Sequence, residues 1–435
     1  MLRRLRDVCR QDDGVPFMIP ISEALKIIER ETFLLESETI DLSNSIGRVL
    51  AEEIRADMDL PPFDRSQMDG FAVRNEDTKN AGAKNPVKLK IIGESVAGKG
   101  FEGIIKNGET VRIMTGAPVP KGADSVQKVE LTRENEGFVE ILEATKPKQN
   151  IVNRAEEIKI GESIFSAGEI ITENMIASLA SFGYANVKVS RKPRAAILAT
   201  GSEIVEITKK PKQDQIRNSN SIMLKVFAEK AGAEVKILSS VKDKISDLKF
   251  QISEAAGLNN KSSPNGKLKT QNSEFKILII TGGVSVGDYD FTKPALRELG
   301  AEIFFEKISL KPGKPTVFAK LNDKLIFGLP GNPVSVAVTF HLFVRTALLK
   351  MQNANECELK RGFAVVSEKI KGAKERDSFL PVFVETNAEG KLLIKSLRFS
   401  GSSNFIAFSR ANALVFVPQN SILQPGDIAQ IAFLP

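Results

Sequence analysis

The sequence predicts a multidomain protein of the α/β plus β class, and three observations predict it. Between residues 193 and 350, short wholly apolar runs alternate with helical segments, the pattern of a parallel α/β sheet with buried strands and helices packed over it. On either side, residues 61–149 and 351–435 carry short apolar runs broken by Gly and Pro, the pattern of β modules. The length of 435 residues leaves room for several domains, at roughly 100–200 residues each.

The elements follow in order. The basic opening run (Arg3, Arg4, Arg6, Arg10) has no apolar stretch behind it, which argues against a secretory signal. Residues 1–17 read as a disordered tail, with Met18 as an alternative start. A first helix is expected from Ser22 to Thr32, with Ser22 as its N-cap and Leu25 and Ile28 on its apolar stripe. After the first β module, a helix from Thr172 to Phe182 closes at Gly183. The α/β region has expected strands at Ala195–Ala199, Val235–Leu238, Lys276–Ile280, Thr316–Ala319 and Leu325–Leu329. Its helices are expected from Ser219 to Gly232, Ile245 to Ala256, Thr292 to Leu299, and after Pro333. Leu258–Ser273 reads as a surface loop. In the tail, Phe363–Val366, Leu392–Ile394, Ala413–Val417 and Ile428–Phe433 read as strands of a small β domain.

Composition narrows the function classes. The formal net charge is +7, but acids and bases alternate along the chain, Trp is absent and only two Tyr are present. That distribution argues against nucleic acid and fits a small anionic substrate better. No stretch of about 18 uncharged apolar residues is present, so no membrane span is expected. Two cysteines, Cys9 and Cys357, and one histidine, His341, do not make a disulfide framework or a structural zinc site, and a cytoplasmic location fits.

Six segments carry candidate chemistry. In Pro61–Val73, Asp64 and Asp69 sit in a Pro- and Gly-containing loop, either sharing a hard cation through oxygen ligands or capping a surface turn. Met114–Val126 holds Thr115 in a stiff Pro/Gly loop, as a ligand-directed hydroxyl or a plain turn. In Ala199–Ile204, Glu203 follows a strand end, as a site acid or a helix N-terminal acid. Ile280–Lys293 is the strongest signal. A buried strand empties into Gly282 and Gly283, then Ser285, Asp288 and Asp290, where glycine amides can cradle a phosphate. Lys307–Phe318 offers Lys307, Lys311 and Lys314 around Pro312, Gly313 and Pro315, as an oxyanion site or as solvated lysines. Gly328–Phe340 joins a strand to a helix through Pro330, Asn332, Pro333 and Ser335, as a helix cap or an anion site. Arg376 and Ser402 carry no signal alone.

Taken in order, PFDRSQMDGFAV, IMTGAPVPKGAD, ATGSEI, NSNSIML, TGGVSVGDYDFTK, KPGKP and GLPGNPVS resemble the motif series of the MoeA family, which includes the E domain of gephyrin. The resemblance runs from about Met18 to Pro435. It implies a homodimer with a discontinuous first domain (18–60 and 150–192), an inserted β-rich domain (61–149), an α/β molybdopterin-binding domain (193–350) and a small β barrel (351–435). It also implies the reaction: adenylylated molybdopterin and molybdate give molybdenum cofactor and AMP, with magnesium. Asp290, Glu203 and Asp64 would then be the catalytic acids, with Asp290 and Glu203 on the metal. Thr115, Asp69, Gly282, Gly283, Ser285, Asp288, Pro330, Asn332 and Pro333 would bind the adenylylated pterin. Lys311, Lys314, Pro315, Ser335, Arg376 and Ser402 would hold molybdate. Thr115 and Asp64 would act from the partner subunit, and a pterin adenylyltransferase would be a possible partner. Two departures stand out: Asn150–Ile158 reads NIVNRAEEI where the family often has NIRRRGED, and Pro381 stands where a second basic residue is often found. The rival readings are a pterin adenylyltransferase and a homodimeric scaffold. The β insert and β tail argue against the first, and the complete set of acids against the second.

Overall fold

The strands Ile277–Thr281 and Lys324–Leu329 are buried at every residue, so they occupy the middle of a sheet. In spatial order that sheet runs Glu234–Ile237, Arg194–Ala199, Ile277–Thr281, Lys324–Leu329, Val317–Leu321, Glu302–Phe305. The first four strands are mutually parallel, and the last two join antiparallel. The parallel sheet expected from the sequence is present over four strands, and two antiparallel strands extend it at one edge. Only Asn322 and Asp323 separate the strands of the hairpin, and a two-residue loop joins antiparallel neighbours. Asn322 takes a φ of 55°, as such a tight turn requires. The computed structural model describes residues 18–241, 244–258, 275–284, 290–397 and 403–435. The expected tail (1–17), nearly all of the expected loop Leu258–Ser273, and Ser285, Asp288 and Ser402 lie outside the described residues.

Alternation along each central strand feeds two cores. Ala195, Ile197, Ile277, Ile279 and Phe327 pack with Leu224, Ala228, Phe340 and Phe343 on one face. Ala196, Leu198, Leu278, Ile280 and Ile326 pack with Leu248, Ile252, Ala295 and Leu296 on the other. Each fully buried Leu, Ile or Phe among them contributes about 1.5–3 kcal/mol. The helix Ser219–Lys230 starts where the Asn218 side chain accepts from Ser221 N, and Ile245–Ala256 ends on Gly257 in the left-handed region. A continuous helix runs from Pro333 to Met351 through a π turn at Phe340–Val344. It is long and apolar enough to cross a membrane, but 83% of its apolar window is buried inside the protein. The first helix is Ile21–Glu31 with Pro20 at its N-cap, so Ser22 lies inside the first turn and does not cap it.

The C-terminal strands close on themselves. Asp377–Thr386 pairs with Leu392–Ser396, which pairs with Arg361–Val366, then Ile428–Phe433, then Ala413–Val417, which returns to Asp377–Thr386. This five-stranded barrel is filled by Ala364, Val366, Val382, Ile394, Val415 and Ile431. The two-residue strand Leu310–Lys311, from the α/β region, pairs parallel with Asp377–Ser378 of the barrel.

The chain forms two compact units. One holds residues up to Glu52, Gly168–Glu173 and Asn186–Pro435, and so contains both the α/β sheet and the barrel. The other holds Glu53–Ala167 and Asn174–Ala185. Its main sheet has six strands in the order Ser125–Lys128, Gly70–Val73, Glu109–Ile113, Val87–Ser95, Phe138–Ile141, Thr132–Asn135, over a core that includes Phe71, Leu89, Val111 and Ile141.

Candidate active site

In the α/β sheet the strand order reverses between Arg194–Ala199 and Ile277–Thr281, and their carboxyl ends open a crevice. A cleft of about 1900 Å³ lies there. Its floor comes from the residues that follow three parallel strands: Thr200, Gly201 and Glu203; Gly282 and Gly283; Pro330, Asn332 and Pro333. Its opposite wall comes from Lys311, Lys314 and Pro315 and from the barrel residues Lys369, Lys371, Arg376 and Pro381. Ser335, buried in the first turn of the long helix, and Asp290 also line it. The sequence thus scatters over more than 170 positions a set of groups that the fold brings to one cavity.

The glycines are explained by crowding. Gly282 and Gly283 have φ of 93° and 61°. A Cβ on Gly282 would stand 2.5 Å from Thr200 O, and one on Gly283 would stand 2.9 Å from Thr200 Oγ1. The expectation that glycine frees amides here is corrected at Gly282, whose N–H already donates to Leu329 O at 3.2 Å. Asn332 stands at the N-cap by backbone conformation, but its side chain makes no capping bond there.

The cations are held by a stiff loop. Gly313 has φ 121°, and a Cβ there would meet Thr339 Cγ2 at 2.5 Å. Thr316 Oγ1 donates to Gly313 O at 2.7 Å, and Lys314 O accepts from Ile308 N and Thr316 N at 3.0 Å each. Arg376 Nη1 donates to Leu310 O at 3.2 Å, which ties the barrel's arginine to the lysine loop. Among the described residues, Lys311, Lys314 and Arg376 form no ion pair. Lys307 is buried at 8% exposure and does not line the cleft, so it falls outside the expected lysine trio.

The side chain of Asp290 is 9% exposed. Burial pushes its carboxyl above the usual aspartate range, and the neighbouring Lys293 ammonium, ion-paired to Oδ2, opposes that shift. Neither carboxylate oxygen has a hydrogen-bond partner of normal geometry among the described residues. Thr200 Oγ1 and Asn220 Oδ1, in the same cleft, are also buried without a partner among the described residues. Buried polar atoms are normally satisfied, so this concentration makes the cleft floor a candidate ligand-facing surface. Asn220 escaped the sequence reading: its Nδ2 donates to Gly331 O at 2.7 Å and to Thr281 Oγ1 at 3.2 Å, linking two strand ends. Its only signal was its place in the NSNSIML run. Among the described residues there is no group of three or more His, Cys, Asp or Glu side chains suited to a metal.

The remaining predicted residues belong to the second unit and form their own cluster. The Asp69 carboxylate accepts from Thr115 N at 2.7 Å and Thr115 Oγ1 at 2.8 Å, which lowers its pKa. Asp64 Oδ1 accepts from Arg154 N at 2.7 Å, so it ties the 61–73 loop to the NIVNRAEEI segment.

Family models match in chain order: the MoeA N-terminal region (domain I and II) at residues 19–183, a probable molybdopterin binding domain at 196–350, and the MoeA C-terminal region (domain IV) at 364–434. A molybdopterin molybdenumtransferase of Staphylococcus aureus (strain COL) is 34% identical over 403 residues, covering 93% of this chain and 92% of the relative. The chain belongs to the MoeA family. The Staphylococcus epidermidis (strain ATCC 12228) protein of the same name is 34% identical over 92% of this chain. A solved MoeA-family structure, the molybdopterin biosynthesis moeA protein of Pyrococcus horikoshii OT3, superposes with a TM-score of 0.80 at 29% identity, covering 96% of this chain and 100% of that one. The multidomain α/β and β architecture is thus the MoeA architecture, with the barrel at its C-terminal end.

Proposed function

We propose that this chain is the enzyme that inserts molybdate into adenylylated molybdopterin, releasing AMP and leaving molybdenum cofactor. One observation carries the reading: Lys311, Lys314 and Arg376, free of ion pairs among the described residues, share a cleft with the buried acid Asp290 and with Glu203. A dianion needs fixed cationic donors, and the guanidinium of Arg376 and the ammonium groups of the two lysines supply them. Ser335 and Pro315, which line the cleft, would complete the molybdate pocket, and Ser402 is assigned to it by the resemblance alone. The Gly282–Gly283 turn, Ser285, Asp288, Pro330, Asn332 and Pro333 hold the adenylylated pterin.

The chain's residues act mainly by position and charge. Cleavage of the adenylate's phosphoanhydride needs an oxygen nucleophile in line with the leaving AMP and neutralisation of the phosphate oxygens. Asp290 has both carboxylate oxygens buried, with Lys293 ion-paired to Oδ2, and a buried carboxylate is the kind of oxygen ligand a hard divalent cation takes. Asp290 with Glu203 would hold magnesium. When bound, magnesium supplies Lewis-acid stabilisation of the phosphate charge. Lys293 holds Asp290 in place and favours its ionised form. Among the described residues no cysteine lines the cleft, and the proposed exchange of molybdate oxygens for pterin thiolates uses no protein thiol.

The family's homodimer would bring Asp64, Asp69 and Thr115 of a partner subunit to the substrate, and a pterin adenylyltransferase is the partner that would deliver it. A cytoplasmic location fits the free thiol of Cys357. The test is incubation of the purified protein with adenylylated molybdopterin, magnesium and molybdate. Molybdate-dependent AMP release is expected; pyrophosphate release, or no AMP above background, would remove the assignment.

A further inference from the structure

Two turns of the cleft floor, Thr281–Gly283 and Pro330–Asn332, lie where the hydrogen-bond ladder between their strands runs out. The last register pair is Thr281 with Leu329. Past it glycine faces glycine: a Cβ built on Gly331 would stand 3.9 Å from Gly282 Cα. Two glycines have no side chains to interlock, so hydrogen bonds must set the spacing of the turns there. Pro330 and Pro333 carry no N–H, and the segment is held through its carbonyls. Leu329 O accepts from Gly282 N at 3.2 Å, Pro330 O from Thr281 Oγ1 at 3.2 Å, and Gly331 O from Asn220 Nδ2 at 2.7 Å.

The outermost of these three bonds comes from a different element. Asn220 lies in the first turn of the helix Ser219–Lys230, which is fixed by the Asn218 cap. Its amide fits one way round. Gly331 O can only accept, so the nitrogen must face it. Thr281 Oγ1 gives its single proton to Pro330 O and therefore accepts from the same nitrogen, at 3.2 Å. Turning the amide over would set Oδ1 against Gly331 O. Both N–H groups of Asn220 are thus committed to the two turns, and Oδ1 is left buried without a partner among the described residues.

We propose that Asn220 is a positioning residue: its two N–H groups fix the spacing of the Thr281–Gly283 and Pro330–Asn332 turns, and so set the grip on the adenylylated pterin without acting on molybdate. The inference rests on the reading of the cleft given above and adds to it a residue that holds the substrate's turns. Small displacements of groups that position a substrate are costly in rate and affinity.

The AMP-release assay, with adenylylated molybdopterin and molybdate varied separately, tests this. Asn220→Leu keeps the volume, adds no charge and removes both donors. Its half-saturating concentration of adenylylated molybdopterin is expected to rise about tenfold, with the molybdate dependence unmoved and the far-UV circular dichroism spectrum unchanged. Thr281→Val removes one arm of the clamp; a rise of about threefold is expected, and no further rise when it is added to Asn220→Leu, because the two residues act as one unit. Titration calorimetry with AMP and magnesium is expected to show the same pattern in Kd. An unmoved pterin dependence overturns the proposal. So does an equal shift in the pterin and molybdate dependences, which is a general loosening of the cleft. Fully additive effects overturn it too, since Asn220 would then act through Oδ1 on the substrate itself. Should Asn220→Leu not fold, Thr281→Val alone decides by the same split between the two substrates. If no preparation releases AMP but the AMP affinity falls in the same non-additive pattern, the reaction assigned above fails and the positioning role stands.

Discussion

In the proposed reaction Asp290 and Lys314 carry the two halves of the chemistry, and each has its own signature. Asp290→Asn keeps the side-chain shape and removes the charge that would hold the cation; AMP release is expected to fall about a hundredfold or more, with circular dichroism unchanged. Near-normal turnover would take Asp290 out of the mechanism. Lys314→Ala leaves the acids alone and removes one cationic donor. Its half-saturating molybdate concentration is expected to rise about tenfold or more, for a lost charge-assisted contact of about 1.5–3 kcal/mol; an unmoved molybdate dependence reassigns that lysine. A third residue reports on a departure from the family pattern. Ala155 stands where the family's NIRRRGED run has glycine, and its φ is 59°, in the left-handed region that costs an L-residue about 1 kcal/mol. Ala155→Gly is expected to raise the free energy of unfolding by about that amount, read as a higher urea midpoint. A lower midpoint would show that the strain is relieved elsewhere.

Among the elements, the legible ones were those whose apolar period was uninterrupted. Ile245–Ala256, Ala413–Val417 and Ile428–Phe433 fall where the pattern puts them. The strand Asp377–Thr386 did not show, because Pro381 sits in its middle and proline normally argues against an interior strand. Here the barrel tolerates it opposite Leu414. The antiparallel hairpin was readable in the Asn322-Asp323 spacing but was outweighed by the alternation of strands and helices around it. The site divides the same way. Its glycine turns and lysine loop are local motifs. The contributions of Asn220, Lys369 and Lys371 come from long-range packing that no local window contains. The long core helix adds a pH signature. His341, in its π turn, packs against Phe227 and Phe340, and burial, helped by Arg345 and Lys230, holds its pKa at about 3 against an ordinary 6.5. The unfolded chain takes up this proton near pH 6.5 while the folded chain refuses it. The stability contribution is therefore full above pH 6.5 and is lost as pH falls toward about 3. His341→Leu is expected to lose less unfolding free energy than wild type across that window in urea titrations. Parallel pH profiles for the two proteins would contradict the assignment.

At the scale of the whole molecule, the net charge of +7 acquires a location. Most lysines and arginines are spread among acids on the surface, in exposed pairs such as Arg55–Glu53 and Lys276–Asp323 that contribute little to stability. The lysines and the arginine on the cleft's barrel-side wall are different, because they are drawn from the α/β region and the barrel and left unpaired among the described residues. Barrel and sheet lie in one compact unit, and the pairing of Leu310–Lys311 with Asp377–Ser378 is the seam that aligns their cations. In the proposed reaction this seam holds a tetrahedral dianion within the cavity that contains Asp290 and Glu203. Crystals of the protein soaked in molybdate and measured at the molybdenum absorption edge test it most directly. An anomalous peak among Lys311, Lys314 and Arg376 is the predicted result, and a molybdenum peak lodged elsewhere with that wall bare would contradict it.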